Sequence, residues 1–424
     1  MKLRNVIPAA LAAALALTTA ACGGGTSTQA TESGGKSFDF WSFSGINQKA
    51  AVEDYQKKNP GTQVKLTEVG SSVETAQALT TALAGGKVPD LVLIQGDDLP
   101  KFVQQPQNFN DLRPMGADKI KGDYLDWVMS QSTAKGGEII GIPTDVGGMA
   151  VAYRTDLFKK AGLPTDREEV GKLWPTWDAF IETGKKYTAK TGKAFVDNAA
   201  TSVFYQAVNQ GPQKYYDPSG NVVYSTSPQV KTAFDLAIKT AQAGITAKQS
   251  SFSEGWSAGM GKDQFAVISA PSWMLGAIRR NAPDTKGKWD VAVIPGGAGN
   301  WGGSYLAIPK GAKNPKAAWA YITATQSPQG QLGHFVDSGS LPTTPSVYED
   351  PKLTGLKDEF FSGAPIGTIY TDSLLGLKPF LIGPDSSAIG QELQNAITNV
   401  EQGKGDPVKA WDTALANVKT AIGK

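Results

Sequence analysis

FDFWSFSGINQKAAVEDYQKKNPGTQVKLTEVGSSVETAQALTTALAGGKVPDLVLIQGDD, residues 38–98, decides the fold class. Phe38-Asp39-Phe40-Trp41 opens a strand and Ser42-Phe43-Ser44-Gly45 is the loop after it. Ile46, Ala50, Ala51 and Tyr55 then recur at helical spacing until Asn59-Pro60-Gly61 stops the helix. Val64 and Leu66 alternate with Gln63, Lys65 and Thr67 as a second strand, and Gly70-Ser71-Ser72 turns the chain. Val73, Ala76, Thr80 and Leu83 mark another helix that ends at Gly85-Gly86, and Leu91-Val92-Leu93-Ile94 follows as a continuous apolar strand. Three strands separated by helices predict βαβ units, and hence an α/β protein built on mainly parallel sheets.

In such sheets ligands bind beyond the carboxyl ends of the strands. That rule nominates Trp41 to Gly45, Gly70 to Ser72 and Gln95-Gly96-Asp97-Asp98 as rim loops, although Gly and Asp also form ordinary turns there. Further along, Gly141 to Gly148 leads into a strand, Met149 to Tyr153, and Trp177, Phe180 and Ile181 share a helix face after Pro175-Thr176. Gln264 to Ala270, Val291 to Ile294 and Tyr305 to Ile308 read as buried strands, and two helices close the chain on either side of Gly403-Lys404-Gly405-Asp406-Pro407.

The N-terminus is different in kind. Lys2 and Arg4 precede an apolar stretch from Val6 to Ala21, the pattern of a secretory signal. It ends at Thr19-Ala20-Ala21-Cys22, which resembles the bacterial lipoprotein cleavage motif, with Thr19 where such motifs usually carry Leu, Val or Ile. Residues 1–21 are thus expected to be a signal peptide, Cys22 a lipidation site and 22–37 a flexible tether rich in Gly, Ser and Thr. Cys22 is the only cysteine among 424 residues, which excludes an intrachain disulfide. Losing Lys2 and Arg4 with the signal takes the formal charge from +2 to about zero, which argues against a nucleic-acid partner, whose binding would need a basic face. The remaining body of roughly 400 residues exceeds what one hydrophobic core serves and predicts two lobes.

Motifs for chemistry fail in context. Gly297-Ala298-Gly299-Asn300-Trp301-Gly302 matches the dinucleotide fingerprint by letter, but Pro295 precedes it and the strand-like Tyr305 to Ile308 follows where a helix is required. His334 is the only histidine, which leaves neither a multi-histidine metal site nor an obvious triad. No cofactor or metal is expected. The one surviving enzyme class is a carboxylate pair, as in a secreted carbohydrate-active hydrolase, with Asp97, Asp98, Asp145 and Glu254 as candidates that no spacing singles out.

The aromatic residues point to binding. Of ten tryptophans, Trp41, Trp256, Trp273 and Trp301 fall in Gly- or Ser-rich loops rather than in periodic core segments, and in a loop a flat ring can stack on a sugar while amides and carboxylates take its hydroxyls. Trp174, Trp177, Trp319 and Trp411, at helix starts or on helices, read as core.

The order of these segments resembles the extracellular solute-binding proteins of ABC sugar importers, the family that includes maltose-binding protein. The resemblance is carried by Ala82 to Val92, by Gly141-Ile142-Pro143 through Leu163, by Trp174 to Phe180, by Ala270-Pro271-Ser272-Trp273, by Gly302 to Ile308, by Asn314 to Trp319 and by Ser338 to Pro342. Arg154 departs from the family's usual Asn before Asp-Leu-Phe, a difference expected not to touch the fold.

The resemblance implies a two-lobed periplasmic-binding-protein-like fold of type II. Residues 38–145 plus 302–341 would form the N-terminal lobe and 146–301 plus 342–424 the C-terminal lobe, closing on ligand by hinge motion. It implies capture of a mono- or oligosaccharide for a membrane permease, by a monomer held at the outer face of the membrane only through its lipid. Trp273, which matches the family's stacking tryptophan, would be joined by Trp256 and Trp301. Asp97, Asp145, Ser44 and Asn209 would take hydroxyls, Gly303 would line the cleft, and Trp41 and Tyr370 would stand on the two rims.

Overall fold

The computed structural model describes residues 37–46 and 48–423. The expected signal peptide and lipidated Cys22 lie outside the described residues, as does all of the tether but Ser37. Among the described residues nine strands form two sheets: β1 (Ser37–Ser42), β2 (Gln63–Glu68), β3 (Leu91–Gln95), β4 (Gly141–Asp145), β5 (Met149–Arg154), β6 (Ala194–Val196), β7 (Phe265–Pro271), β8 (Trp289–Val293) and β9 (Ser304–Ala307). The first sheet has the order β2-β1-β3-β9-β4 and the second β6-β7-β5-β8.

Leu91 to Ile94 are buried on both faces of the first sheet, as their unbroken apolar run requires. Leu91 and Leu93 join one core with Phe38, Phe40 and Tyr321, while Val92 and Ile94 join another with Leu79, Phe102 and Tyr305. The second sheet carries an aromatic core in which Trp174, Phe180 and Phe195 pack at 5.0–6.3 Å between ring centres. Among the described residues no helix is long and apolar enough to cross a membrane.

The strand directions correct one expectation. β1 runs parallel to β2 and β3, but β9 is antiparallel to both its neighbours, and β5 is antiparallel to β7 and β8. The sheets are therefore mixed. Parallel pairing needs a crossover within one sheet. β5 and β9 instead arrive from the other sheet, β5 after only three residues, Val146, Gly147 and Gly148.

The two crossings, with the segment around Leu341, are tied together. Val146 bridges Leu341, Gly148 bridges Asn300, the Trp301 amide donates to Gly147 O at 2.9 Å, and Asn300 Oδ1 accepts from the Gly147 amide at 2.8 Å. A Cβ on Gly147 would overlap the Trp301 backbone, so glycine is required for this approach. The false nucleotide fingerprint, 297–302, belongs to the β8-to-β9 crossing.

Arg154 is more deeply built in than its sequence position suggested. Its side chain is buried and forms ion pairs with Asp156 at 2.7 Å and Asp263 at 2.6 Å, and its guanidinium lies 5.7 Å from the Trp289 ring centre.

Candidate functional site

The carboxyl ends of β1 and β3 open toward Ser44, Gly45 and Gln95, and Ser71 and Ser72 follow β2. Across from them stand Phe252, the helix Glu254–Gly261 and the helix Met274–Asn281 with its preceding Trp273. Together with the crossing residues Trp301 to Ser304, these enclose a cavity of about 510 Å³, within the range of small-molecule sites.

Four aromatic side chains make one side of the cavity. Trp273 and Trp301 meet edge to face at 5.4 Å, Phe252 and Trp273 lie nearly parallel at 6.3 Å, and Phe252 and Trp256 are 5.2 Å apart. Each tryptophan is fixed by a different device. Trp256, expected in a loop, lies instead in the first turn of the helix Glu254–Gly261 and is buried: the N-cap Ser253 hydroxyl accepts from its amide at 3.2 Å, and its indole N–H donates to Asp197 Oδ2 at 2.7 Å. The Trp273 indole donates to Trp301 O at 3.1 Å, and Trp301 is held by the crossing strand. Phe252 is 54% exposed and sits at φ +68°, a left-handed backbone that a bulky residue rarely adopts.

The polar side is built around Asp145, at the end of β4. Burial lifts its carboxyl to about 6 against hydrogen bonds from Thr144 and the Ser304 amide. Those bonds, at 2.7 and 3.1 Å, both end on Oδ1. Gly303, at φ +101°, lies so close to Asp145 that a Cβ there would sit 3.0 Å from the Asp145 carbonyl oxygen. Arg280 reaches over from the helix Met274–Asn281, and its Nη2 donates to Gly45 O at 2.9 Å. Burial, and then the neighbouring Arg279 charge, pull its guanidinium below the usual range.

Of the residues expected at the site, Ser44, Asp145, Trp256, Trp273, Trp301 and Gly303 line this cavity. Trp41 does not; it is half-buried on β1 and packs against the core of Val92 and Ile94. Asp97 and Asn209 line a narrow neck beside the cavity, which shares Gln95 and Gly302 with it. There Asp97 is already engaged, its Oδ2 accepting from the Tyr205 hydroxyl at 2.6 Å and its Oδ1 lying 3.3 Å from the Lys214 ammonium.

Tyr370 is a correction. It is fully buried, and its hydroxyl donates to Ala270 O at 3.0 Å, so the helix Ile366–Leu375 turns it into the core behind β7 and away from any rim. Phe252 and Arg280 were missed. Phe252 was legible in principle as a lone large ring among Ser250, Ser251 and Ser253. Nothing in the sequence distinguishes Arg280 from Arg279, which turns instead to Asp358 at 2.6 Å. Among the described residues no group of acidic, histidine or cysteine side chains is placed to hold a metal.

Residues 50–359 match the model of the bacterial extracellular solute-binding protein family. The chain is 26% identical over 420 residues to a lactose-binding protein of Rhizobium radiobacter, covering 93% of this chain and 92% of that one. It is 25% identical over 425 residues to an arabinooligosaccharide-binding protein of Bacillus subtilis, covering 92% and 93%. Among solved structures, an extracellular solute-binding protein of family 1 superposes with a TM-score of 0.77 at 33% identity, covering 91% of this chain and 99% of that one. An ABC transporter associated binding protein from B. animalis subsp. lactis in complex with β-1,6-galactobiose superposes with a TM-score of 0.77 at 23% identity over 92% and 98% of the two chains, a likeness of fold.

Proposed function

The chain belongs to the bacterial extracellular solute-binding proteins, and from that premise we propose that it captures a neutral sugar in the aromatic cavity and hands it to the permease of an ABC importer. The observation that carries this reading is one cavity of about 510 Å³ lined by the aromatic cluster Phe252, Trp256, Trp273 and Trp301 together with Asp145 and Arg280. Flat rings suit the C–H faces of a pyranose, while a carboxyl and a guanidinium suit its hydroxyls. The relatives named for lactose and arabinooligosaccharide support the same ligand class. A family of binding proteins sets aside the carboxylate-pair hydrolase.

Ser44, Asp145 and Arg280 are the polar contacts we assign to the ligand, with Trp273, Trp301, Trp256 and Phe252 as its apolar surface and Gly303 as the close backbone approach. Residues 38–145 with 302–341, and 146–301 with 342–424, are the lobes we assign. The ties among Val146, Leu341, Gly148 and Asn300 support a hinge at the crossings. Such a protein works as an exported monomer, tethered through a lipid on Cys22, where proximity raises its effective concentration at the permease.

Titration calorimetry against a panel of mono- and oligosaccharides tests the ligand class. A sugar that binds should also raise the melting temperature, since at a concentration of 100 Kd it adds about 2.7 kcal/mol. If no carbohydrate gives heat or a thermal shift, the sugar reading is wrong.

A further inference from the structure

The cavity is barred at both ends. At one end Arg280 crosses to Gly45 O. At the other, the neck holding Asp97 encloses only about 10 Å³, room for at most one water. Beyond the neck the space opens again. Phe380 and Ile382 line both the neck and a groove of about 1120 Å³, whose walls include Trp127 and Gln131 on one side and Tyr216 and Leu381 on the other.

Asp97 and Tyr205 line the neck, and Lys214 backs Asp97 from behind it. Asp97 comes from the loop after β3, in the first sheet, whereas Tyr205 and Lys214 come from segments whose core surrounds the second. Tyr205 ends a π-helical turn, Ala200–Tyr205, a wide-wound geometry that recurs at functional positions. Its hydroxyl donates to Asp97 Oδ2 at 2.6 Å, and Lys214 Nζ lies 3.3 Å from Oδ1. The Lys214 side chain is 2% exposed, and its ammonium lies 4.9 Å from the ring centres of Tyr205 and Tyr215 and 5.6 Å from that of Phe380.

We propose that Asp97, Tyr205 and Lys214 form a crossbar that sets the length of the ligand, admitting one or two sugar rings and excluding longer chains from the neck. The proposal rests on the sugar reading above. A ring fills on the order of 200 Å³ at interior packing density, so about 510 Å³ holds two. A third ring would have to enter the neck and displace Asp97 from both partners. That would leave the Lys214 charge buried in its aromatic cage without a counter-ion, a cost that a neutral hydroxyl does not offset. The neck shares Gln95 and Gly302 with the cavity and Phe380 and Ile382 with the groove, so it lies between the two.

The test uses the mature chain and its Asp97→Asn/Lys214→Met double variant, which removes both charges together, titrated with galactose- and arabinose-built ladders of one to five rings. Wild type should bind the two-ring member at least tenfold more tightly than the four-ring member, and the double variant should narrow that ratio to within threefold. Tyr205→Phe keeps the ring beneath Lys214 but removes one bond to Asp97, and should give an intermediate ratio even if the double variant does not fold. Wild-type affinity that is equal for two and four rings, or a ratio unchanged in the variants, overturns the crossbar and leaves the sugar reading intact. Failure of every ladder to bind wild type overturns the sugar reading, and the length limit falls with it.

Discussion

Replacing Trp273 by alanine should remove the central surface of the site while leaving the fold standing. The ring lies between Phe252 and Trp301 and borders the cavity. A tryptophan buries about 150–250 Å² in all, and its two protein neighbours already cover part of that area. Because Trp273 is half-buried, roughly 60 Å² of ring face is left to a bound sugar, worth about 1.5 kcal/mol at about 25 cal/mol per Å². That corresponds to about a 13-fold rise in Kd. Trp273→Phe keeps a smaller ring face and should cost about half as much, about 0.75 kcal/mol or roughly threefold in Kd, while its lost indole hydrogen bond to Trp301 O lowers stability instead. Calorimetry with the best sugar of the panel gives both values directly, and circular dichroism with thermal melting checks that the variants fold. The ordering Ala weaker than Phe weaker than wild type is the diagnostic outcome. Alanine binding within threefold of wild type, by a folded protein, would refute the stacking assignment.

Removing the buried Arg154 guanidinium by Arg154→Met leaves Asp156 and Asp263 without their partner. Because both carboxylates are partly exposed and can rehydrate, the cost should be about 2–3 kcal/mol, less than for a fully buried pair, read from urea midpoints. An unchanged midpoint would make the ion pairs incidental. Burial raises Asp98, Asp145 and Asp197 to about 6 and Glu401 to about 7. Between pH 4 and 7 the folded chain therefore holds protons that the unfolded chain releases, and stability falls as pH rises through that window. His334, pushed below its ordinary value by burial, opposes this only as pH drops below about 6.5. The melting temperature of the ligand-free protein should be at least ~3 °C higher at pH 5 than at pH 8, and a rise in the opposite direction would contradict the sign. Finally, Cys22→Ala should move the protein from the membrane fraction to the soluble exported fraction; retention at the membrane would remove the lipid tether while leaving the binding site untouched.

How much of this molecule could be read from its sequence depends on how far apart the deciding residues stand. The strands Leu91–Gln95, Phe265–Pro271 and Trp289–Val293 lie within two residues of their expected limits at each end, because an apolar run that must be covered on both faces announces itself locally. Strand direction does not, since it depends on which sheet the chain has just left. The three-residue link from β4 to β5 is too short for a crossover and carries the chain straight into the other sheet. The same distinction runs through the site. Trp273 and Trp301 were legible as rings set in glycine- and serine-rich loops. Asp97 was correctly placed beyond β3, yet its role depends on Lys214 and Tyr205, more than 100 residues away, which occupy both of its oxygens. Tyr370 failed for the converse reason: its hydroxyl suggests a rim, and only the packing of the helix Ile366–Leu375 reveals a buried carbonyl, Ala270 O, to satisfy it. A polar group's chemistry is written in the sequence, but whether it is free for a ligand depends on partners that only the fold brings together.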